Sequence, residues 1–499
     1  MNNHRINILL SVILLLLAGL FYSSCDNRGV PDVPDPGKSP AEETETGYLS
    51  LGISWTDAIH SRATEVGLNA ERRVNAIYMA LFDQANQLIY LTDFGGADNT
   101  TGGVFSGDSV YNSTSLSGFV SKAICLEKAT YQLVVIANPY PVLKSKLTAR
   151  AIAWEDLYDY VITQGNGAGE TNLLDLDGGV FMSNARGITT LYPSDFRDSP
   201  AEAIATPKEV AIDRILAKIL VNKDASFSSP PHGEVTAFYW RTGNCNRKTY
   251  LIRKPDLTLA GTAETALSPR DMIYAKDPNF QLNEQNTTEL YTSADTKPWN
   301  EDPATIESHY QYVLENTLAT ETQTDNNWRQ HTTHVVVEAT IKYSALGTGG
   351  ELQYYSFVNS AGEAKVFSHP QAVEWWANGV AAAQAFPADM VGLKEAIDAC
   401  SVFSFGESSV VPTEYATDNG ITFHKEGRNT YQVPIRHFHL TGAADRSRYG
   451  QYGVVRNNVY KLVVTGIKGP GTPTTGEAYI AVDIHVNPWY IREQEEHLQ

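Results

Sequence analysis

The stretch EAYIAVDIHVNPW, residues 477–489, places Ala478, Ile480, Val482, Ile484 and Val486 at every second position. A two-residue period with one wholly apolar face is the pattern of a β-strand lying on a sheet. The other face, Tyr479, Ala481, Asp483, His485 and Asn487, is more polar, so one side is dry and the other wet. Only YIREQEEHLQ follows Trp489. The strand therefore stands at the chain end, where it is expected either to complete its own domain or to be lent to a neighbour.

The same pattern occurs near the other end. YLSLGISW, residues 48–55, sets Leu49, Leu51, Ile53 and Trp55 on one face of a second amphipathic strand. A polar loop containing Arg62 follows it. Between these two ends, VNAIYMALF at 74–82 and YQLVVIA at 131–137 read as buried strands, because β-branched and aromatic residues cluster in short apolar runs. Further strands are expected at 234–241, 334–343, 352–358, 431–440 and 459–467, with Pro434 marking an edge position because proline donates no ladder hydrogen bond. Helices are expected at 151–163 and near 389–400, a loop or hairpin at 93–116, and a Trp-rich loop at Trp375 and Trp376. AIDRILAKILV, 211–221, is ambiguous: Ile212, Ile215, Leu216 and Ile219 fit a helical stripe, yet the run is β-branched. Many short strands, few helices and long polar loops predict a mainly β protein of β-sandwich domains.

At 499 residues, two domains are expected, divided at the SPPHG run of 229–233 into 48–228 and 229–499. Residues 1–25 read as a signal peptide, with His4 and Arg5 before an apolar run too short to span a membrane, and small residues leading to Cys25. The pattern resembles a bacterial lipoprotein signal, with Cys25 as the acylated residue. Residues 26–47, rich in proline and acid, form a flexible tether. The net charge of −19, from 38 basic and 57 acidic side chains, argues against nucleic acid as a partner. Cys125, Cys245 and Cys400 show no metal-type spacing and are expected to be buried thiols.

Signals for chemistry are weak. His437 and His439 share a strand face but have no third ligand, and neither His331 nor His334 supplies one, so no metal is expected. DLDGG at 175–179 lacks the downstream ligands of a calcium loop and reads as an acidic turn. No GxSxG, phosphate-binding glycine loop or HExxH is present, leaving no positive case for an enzyme or a cofactor. Trp375 and Trp376 could stack on a sugar, although packing is the commoner fate of adjacent tryptophans.

Taken with the signal and the early strand, FMSN at 181–184, YVLENT at 312–317, YGVVRNNVYKLVVTGI at 452–467 and the terminal VNPW resemble the fimbrillin family, the subunits of type V pili, and most closely its minor-fimbria branch. Arg456, Asn457, Tyr460 and Trp489 fall in the most specific of these blocks. The resemblance implies two transthyretin-like Greek-key β-sandwich domains and a lipoprotein precursor, palmitate-type acylation at Cys25 included, at the cell outer membrane. It further implies a protease cut after Arg62, with Arg72 and Arg73 as second choices, that removes the strand of Leu49, Leu51, Ile53 and Trp55. The strand carrying Ala478, Ile480, Val482, Ile484 and Val486 from another copy then fills the groove by donor-strand exchange. The implied partners are copies of itself and other fimbrial subunits, the maturation protease, and a host or bacterial surface ligand for adhesion. The alternatives are a fimbrial tip or anchor subunit and a tethered glycan-binding lipoprotein.

Overall fold

A computed structural model describes residues 45–54, 65–66, 71, 73–93, 109–110, 118–165, 172–177, 179–255, 275–279, 290–298, 309–318, 331–346, 352–359, 363–379, 392–406, 409–437, 452–471 and 480–490. The protein is mainly β. Among the described residues the helices are short, the longest running from His369 to Gly379.

A nine-stranded sheet carries the N-terminal half. Its order is Leu88–Asp93, Ile77–Phe82, Tyr131–Ala137, Met182–Asn184, Lys208–Arg214, Leu51–Ser54, Gly118–Ser121 and Ser109–Val110, with Thr189–Leu191 also paired to Tyr131–Ala137. The apolar runs read from the sequence lie at its centre, and covering both faces explains why they barely alternate. Ile77, Met79 and Leu81 enter one core, while Ala80 and Phe82 enter the other. Leu133 and Val135 against Val134 and Ile136 repeat this division.

The C-terminal half is a β-sandwich. One sheet orders Tyr310–Leu314, Leu216–Ser228, Asn458–Ile467, Ile480–Tyr490 and Glu65–Val66; the other orders Lys297–Pro298, Gly233–Gly243, His334–Tyr343 and Arg428–Pro434. Ala217, Ile219, Tyr460 and Leu462 from the first meet Trp240, Val337 and Ile341 from the second in one core. Arg428–Pro434 is an edge strand, and Pro434 ends it, as the missing N–H requires.

The ambiguous 211–221 run is strand on both sides of Ile215. Its stripe resembles a helix because its residues serve three cores: Ile212 the N-terminal one, Ile215 and Leu216 a shared one, Ile219 the sandwich. Sheet membership changes here, between Arg214 and Leu216. The 229–233 run forms the turn joining Leu216–Ser228 to Gly233–Gly243, and Leu216–Ser228 pairs with Tyr310–Leu314 and Asn458–Ile467 of the C-terminal half.

Between the paired strands His334–Tyr343 and Arg428–Pro434 the chain builds a further small unit. A four-stranded sheet, Ala364–Phe367, Tyr354–Val358, Ile421–His424 and Ala416–Asp418, packs on helices His369–Gly379 and Leu393–Ala399. Tyr355, Phe357, Phe367, Phe405 and Phe423 fill its core. Trp375 and Trp376 lie on the first of these helices, not in a loop, because HPQAVEWWANG turns an apolar stripe toward that core.

Other expectations change as well. Only Trp154–Tyr158 of 151–163 is helical; the β-branched Val161–Thr163 pairs as a strand with Lys248–Tyr250. The expected strand at 431–440 is Arg428–Pro434, and 438–440 lie outside the described residues. Cys245 is a buried free thiol, its pKa pushed up to about 12 by burial, and Cys400 a half-buried one pushed up to about 11. Cys125 is half-buried and disulfide-bonded, not a thiol.

Candidate assembly site

The leading strand crosses between two sheets. Thr46–Leu49 pairs antiparallel with Ile124–Glu127, whereas Leu51–Ser54 runs parallel to Lys208–Ala211 and antiparallel to Gly118–Val120. The break falls at Ser50, whose hydroxyl donates to the carbonyl of Ser121 at 2.6 Å, while the Ser121 hydroxyl accepts the Leu51 N–H at 2.9 Å. This exchange satisfies the polar atoms where the ladder is interrupted. The expected single strand is thus two short ones with one common dry face. Leu49, Leu51 and Ile53 are each at most 1 % exposed and share a core with Ile77, Met79, Leu133 and Val210. Trp55 lies outside the described residues. On the reverse face the Glu209 carboxylate crosses Gly52 so closely that a Cβ there would fall 2.4 Å from Oε1.

Full burial of three such side chains stabilises by about 5–9 kcal/mol in total. The strand is internal, with a neighbour on either side, so its loss exposes two rows of backbone polar groups along with a dry groove.

The C-terminal strand, Ile480–Tyr490, lies antiparallel on Asn458–Ile467 from Ile467↔Ile480 to Asn458↔Pro488, with a bulge near Gly466. Val482 and Ile484 pack on the sandwich core. Its far side meets only Glu65–Val66, at Trp489 and Tyr490, among the described residues. Among the described residues, none pairs with that edge along the other nine positions. Ala478 lies outside the described residues; Ile480 pairs with Ile467 and Val486 with Tyr460. In this chain the strand is docked in its own domain.

Between the two strands lies a buried ionic seam that sequence reading missed. Glu71, fully buried, pairs with Lys218 at 2.9 Å and accepts the Tyr312 hydroxyl, and its carbonyl accepts from Arg214 Nε at 3.1 Å. Arg214 Nη1 also donates to Asn457 Oδ1 at 3.2 Å. Arg456 is paired with Glu315 at 3.2 Å and donates to the Tyr250 carbonyl at 2.8 Å; Asp213 holds Arg253 at 2.7 Å. Burial raises the Asp213 and Tyr312 pKa values, Arg253 opposing the first and Glu71 reinforcing the second. Three of the quoted blocks meet here. Met182–Asn184 pairs with Ile212–Arg214, Asn316 bridges Val454, and Glu315 meets Arg456. A usable signal existed: Lys218 and Glu315 interrupt apolar runs, and buried charges occur in pairs.

The other candidates are packed residues. His437 is buried with Nδ1 2.8 Å from the Tyr460 hydroxyl, His439 lies outside the described residues, and His334 is buried beside the Thr332 carbonyl. Asp175 and Asp177 form an exposed turn, the Asp177 N–H donating to Asp175. Trp375 meets Phe367 at 5.6 Å, and the Trp376 ring lies over Gly406, so both side chains are engaged in packing. Cys25, Arg62 and Arg72 lie outside the described residues, while Arg73 is held in the body by a 3.1 Å hydrogen bond to the Asp177 carbonyl.

A family model described as major fimbrial subunit protein type IV, fimbrillin, C-terminal, matches residues 422–495. None of the curated proteins matches the sequence. Among solved structures, the chain is similar to a candidate cell adhesion protein from Parabacteroides distasonis, at 12% identity over 90% of this chain and 98% of that one, with a TM-score of 0.45. It is also similar to a fimbrilin from Porphyromonas gingivalis, at 14% identity over 90% and 100% and a TM-score of 0.38. The tip fimbrial protein of that organism matches at 12% over 89% and 100%, with a TM-score of 0.33. Structural likenesses this remote carry no weight here.

The β architecture and the family match over residues 422–495 together point to a structural protein of the fimbrial type in the C-terminal region. Residues 422–495 match the C-terminal region of fimbrillins, major fimbrial subunit proteins.

Proposed function

We propose that this chain is exported as a lipoprotein acylated at Cys25, cut after Arg62, and polymerised by donor-strand exchange into a fimbria serving adhesion. The carrying observation is the combination of an internal leading strand, whose Leu49, Leu51 and Ile53 fill a dry core, with a period-two C-terminal strand whose outer edge pairs only at Trp489 and Tyr490 among the described residues. Loss of the first leaves a groove, and Ile480–Tyr490 of a second copy has a pattern suited to it. Head-to-tail donation is heterologous and does not close, so it grows a filament. On this reading the chain divides near residue 215 into a groove-bearing half and a donor half, and the tether expected at 26–47 ends before Thr46 and Gly47, which are paired as strand with Glu127 and Leu126. The amphipathic C-terminal strand favours a polymerising stalk subunit over a tip or anchor subunit.

Purified full-length protein, digested with an arginine-specific protease, should form SDS-resistant ladders. The same protein ending at Gly476 should not. Ladders that form without loss of residues 48–62, and from molecules lacking everything past Gly476, would refute the proposal. Intact mass of native surface material tests the lipid.

A further inference from the structure

We propose that Asp277 is a proton-operated latch: while neutral it ties residues 275–279 to the sandwich half, and on losing its proton it lets that segment detach more readily. Neither chain end takes part, so the latch stands or falls apart from strand exchange.

The segment 275–279 is fastened at several points. The Lys276 N–H donates to the Lys254 carbonyl at 2.8 Å, Ala275 forms a bridge with Pro255, and Asn279 Nδ2 donates to Asn246 Oδ1 at 2.8 Å. Asn246 is fixed in turn, its Nδ2 donating to the Glu315 carbonyl at 3.0 Å. Asp277 sits among these contacts, 2 % exposed. Its Oδ2 accepts the Thr317 N–H at 2.5 Å and its Oδ1 the Asn279 N–H at 2.5 Å.

The Thr317 hydroxyl sets the proton count. Its oxygen stands 2.6 Å from the Ala275 carbonyl and 3.0 Å from Asp277 Oδ2. A hydroxyl carries one proton and a carbonyl can only accept, so that proton goes to the nearer Ala275 oxygen. The contact with Oδ2 is then a hydrogen bond only when Asp277 supplies a proton of its own. Neutral Asp277 completes a relay through the Thr317 hydroxyl to Ala275. Once Asp277 is ionised, one hydroxyl proton must serve two buried acceptors, which leaves one of them short.

The electrostatics act in the same direction. Burial is the main cause that pushes the Asp277 pKa from an ordinary 3.8 up to about 7; the Thr317 and Asn279 N–H groups oppose it and the Glu315 carboxylate adds to it. Around Asp277 lie Glu315, which Arg456 holds at 3.2 Å, Tyr250, and Lys254, which pairs with Asp159; Lys276 is exposed on the segment itself. The attached carboxyl keeps a proton that the detached one gives up near 3.8. Attachment is therefore firmest below about pH 4, weakens as pH rises to about 7, and is level beyond it. Histidines buried neutral, such as His334, act with the opposite sign, because burial lowers their pKa and acid then favours the open form.

The test is hydrogen exchange of the full chain, read by mass spectrometry at pH 5, 6 and 7 and corrected for intrinsic rates. Protection of a peptide spanning 275–279 should fall on the order of tenfold per pH unit, or about a hundredfold over the range. Asp277→Asn, neutral at every pH and of the same shape, should keep its protection level across the range. Protection at 275–279 that stays flat or rises from pH 5 to 7 in the wild type overturns the proposal, as does an equal fall in Asp277→Asn. If the variant fails to fold, the wild-type slope still decides, since its sign separates Asp277 from the histidines.

Discussion

Removal of residues 1–62 is the perturbation with the largest consequence. The loss comprises Leu49, Leu51 and Ile53, each essentially fully buried, or about 5–9 kcal/mol of apolar burial. That range is an upper estimate, since a denatured chain already hides part of its surface. Pairing is lost as well, with Ile124–Glu127, with Lys208–Ala211 and with Gly118–Val120. Domains of ordinary size are stable by only about 5–15 kcal/mol, so the truncated N-terminal half should sit near its unfolding midpoint or associate through the groove. A chain beginning at Ala63 is expected to bind ANS, melt in two steps and elute as oligomers. Ligand that binds only the folded form restores stability by mass action, so synthetic peptide 45–55 or 477–490 should raise the first melting step in proportion to the logarithm of its concentration. A truncated monomer that melts within a few degrees of the full chain and ignores both peptides would refute the reasoning.

Three further outcomes follow from the packing. Glu71→Leu or Lys218→Met alone should each cost about 3–5 kcal/mol, while the double variant should recover most of the loss, as urea midpoints in a double-mutant cycle would report. Buried His424 donates its Nδ1–H to the Arg428 carbonyl at 2.9 Å and so accepts the Ser356 hydroxyl at Nε2, 2.8 Å away, and burial depresses its pKa to about 4. Unfolding therefore takes up a proton between pH 4 and 6.5: stability is full above 6.5 and declines toward pH 4 by about 3 kcal/mol, a slope that His424→Asn should flatten in pH-dependent melts. Gly406→Val should collide with the Trp376 ring, now 3.1 Å from where its Cβ would stand. A loss of about 1–3 kcal/mol, read by hydrogen exchange, should be confined to the unit around Phe405 and leave the sandwich protected.

Much of the fold was readable as period. Tyr131–Ala137 and His334–Tyr343 are strands at the expected residues, because short β-branched runs have few other uses. Where reading failed, a tertiary partner chose between local preferences. Val161–Thr163 left its expected helix because Lys248–Tyr250 offered a strand to pair with, and Trp375 and Trp376 became helical over an aromatic core. The seam was hardest to see, since Glu71 and Lys218 are 147 positions apart in the numbering and no local pattern links them.

Alternation along Leu49–Ile53 and Val482–Ile484 determined, without any coordinates, that each segment has one dry face, because side-chain period is a local property of an extended backbone. Which neighbours cover those faces was decided only in three dimensions. Ser50 moves the leading strand from one sheet to another, Leu216–Ser228 joins the sandwich, and the C-terminal strand docks on Asn458–Ile467. Strand pairing and buried ion pairs depend on backbone and charge brought together from distant parts of the chain, and those distances exist only once the core has closed.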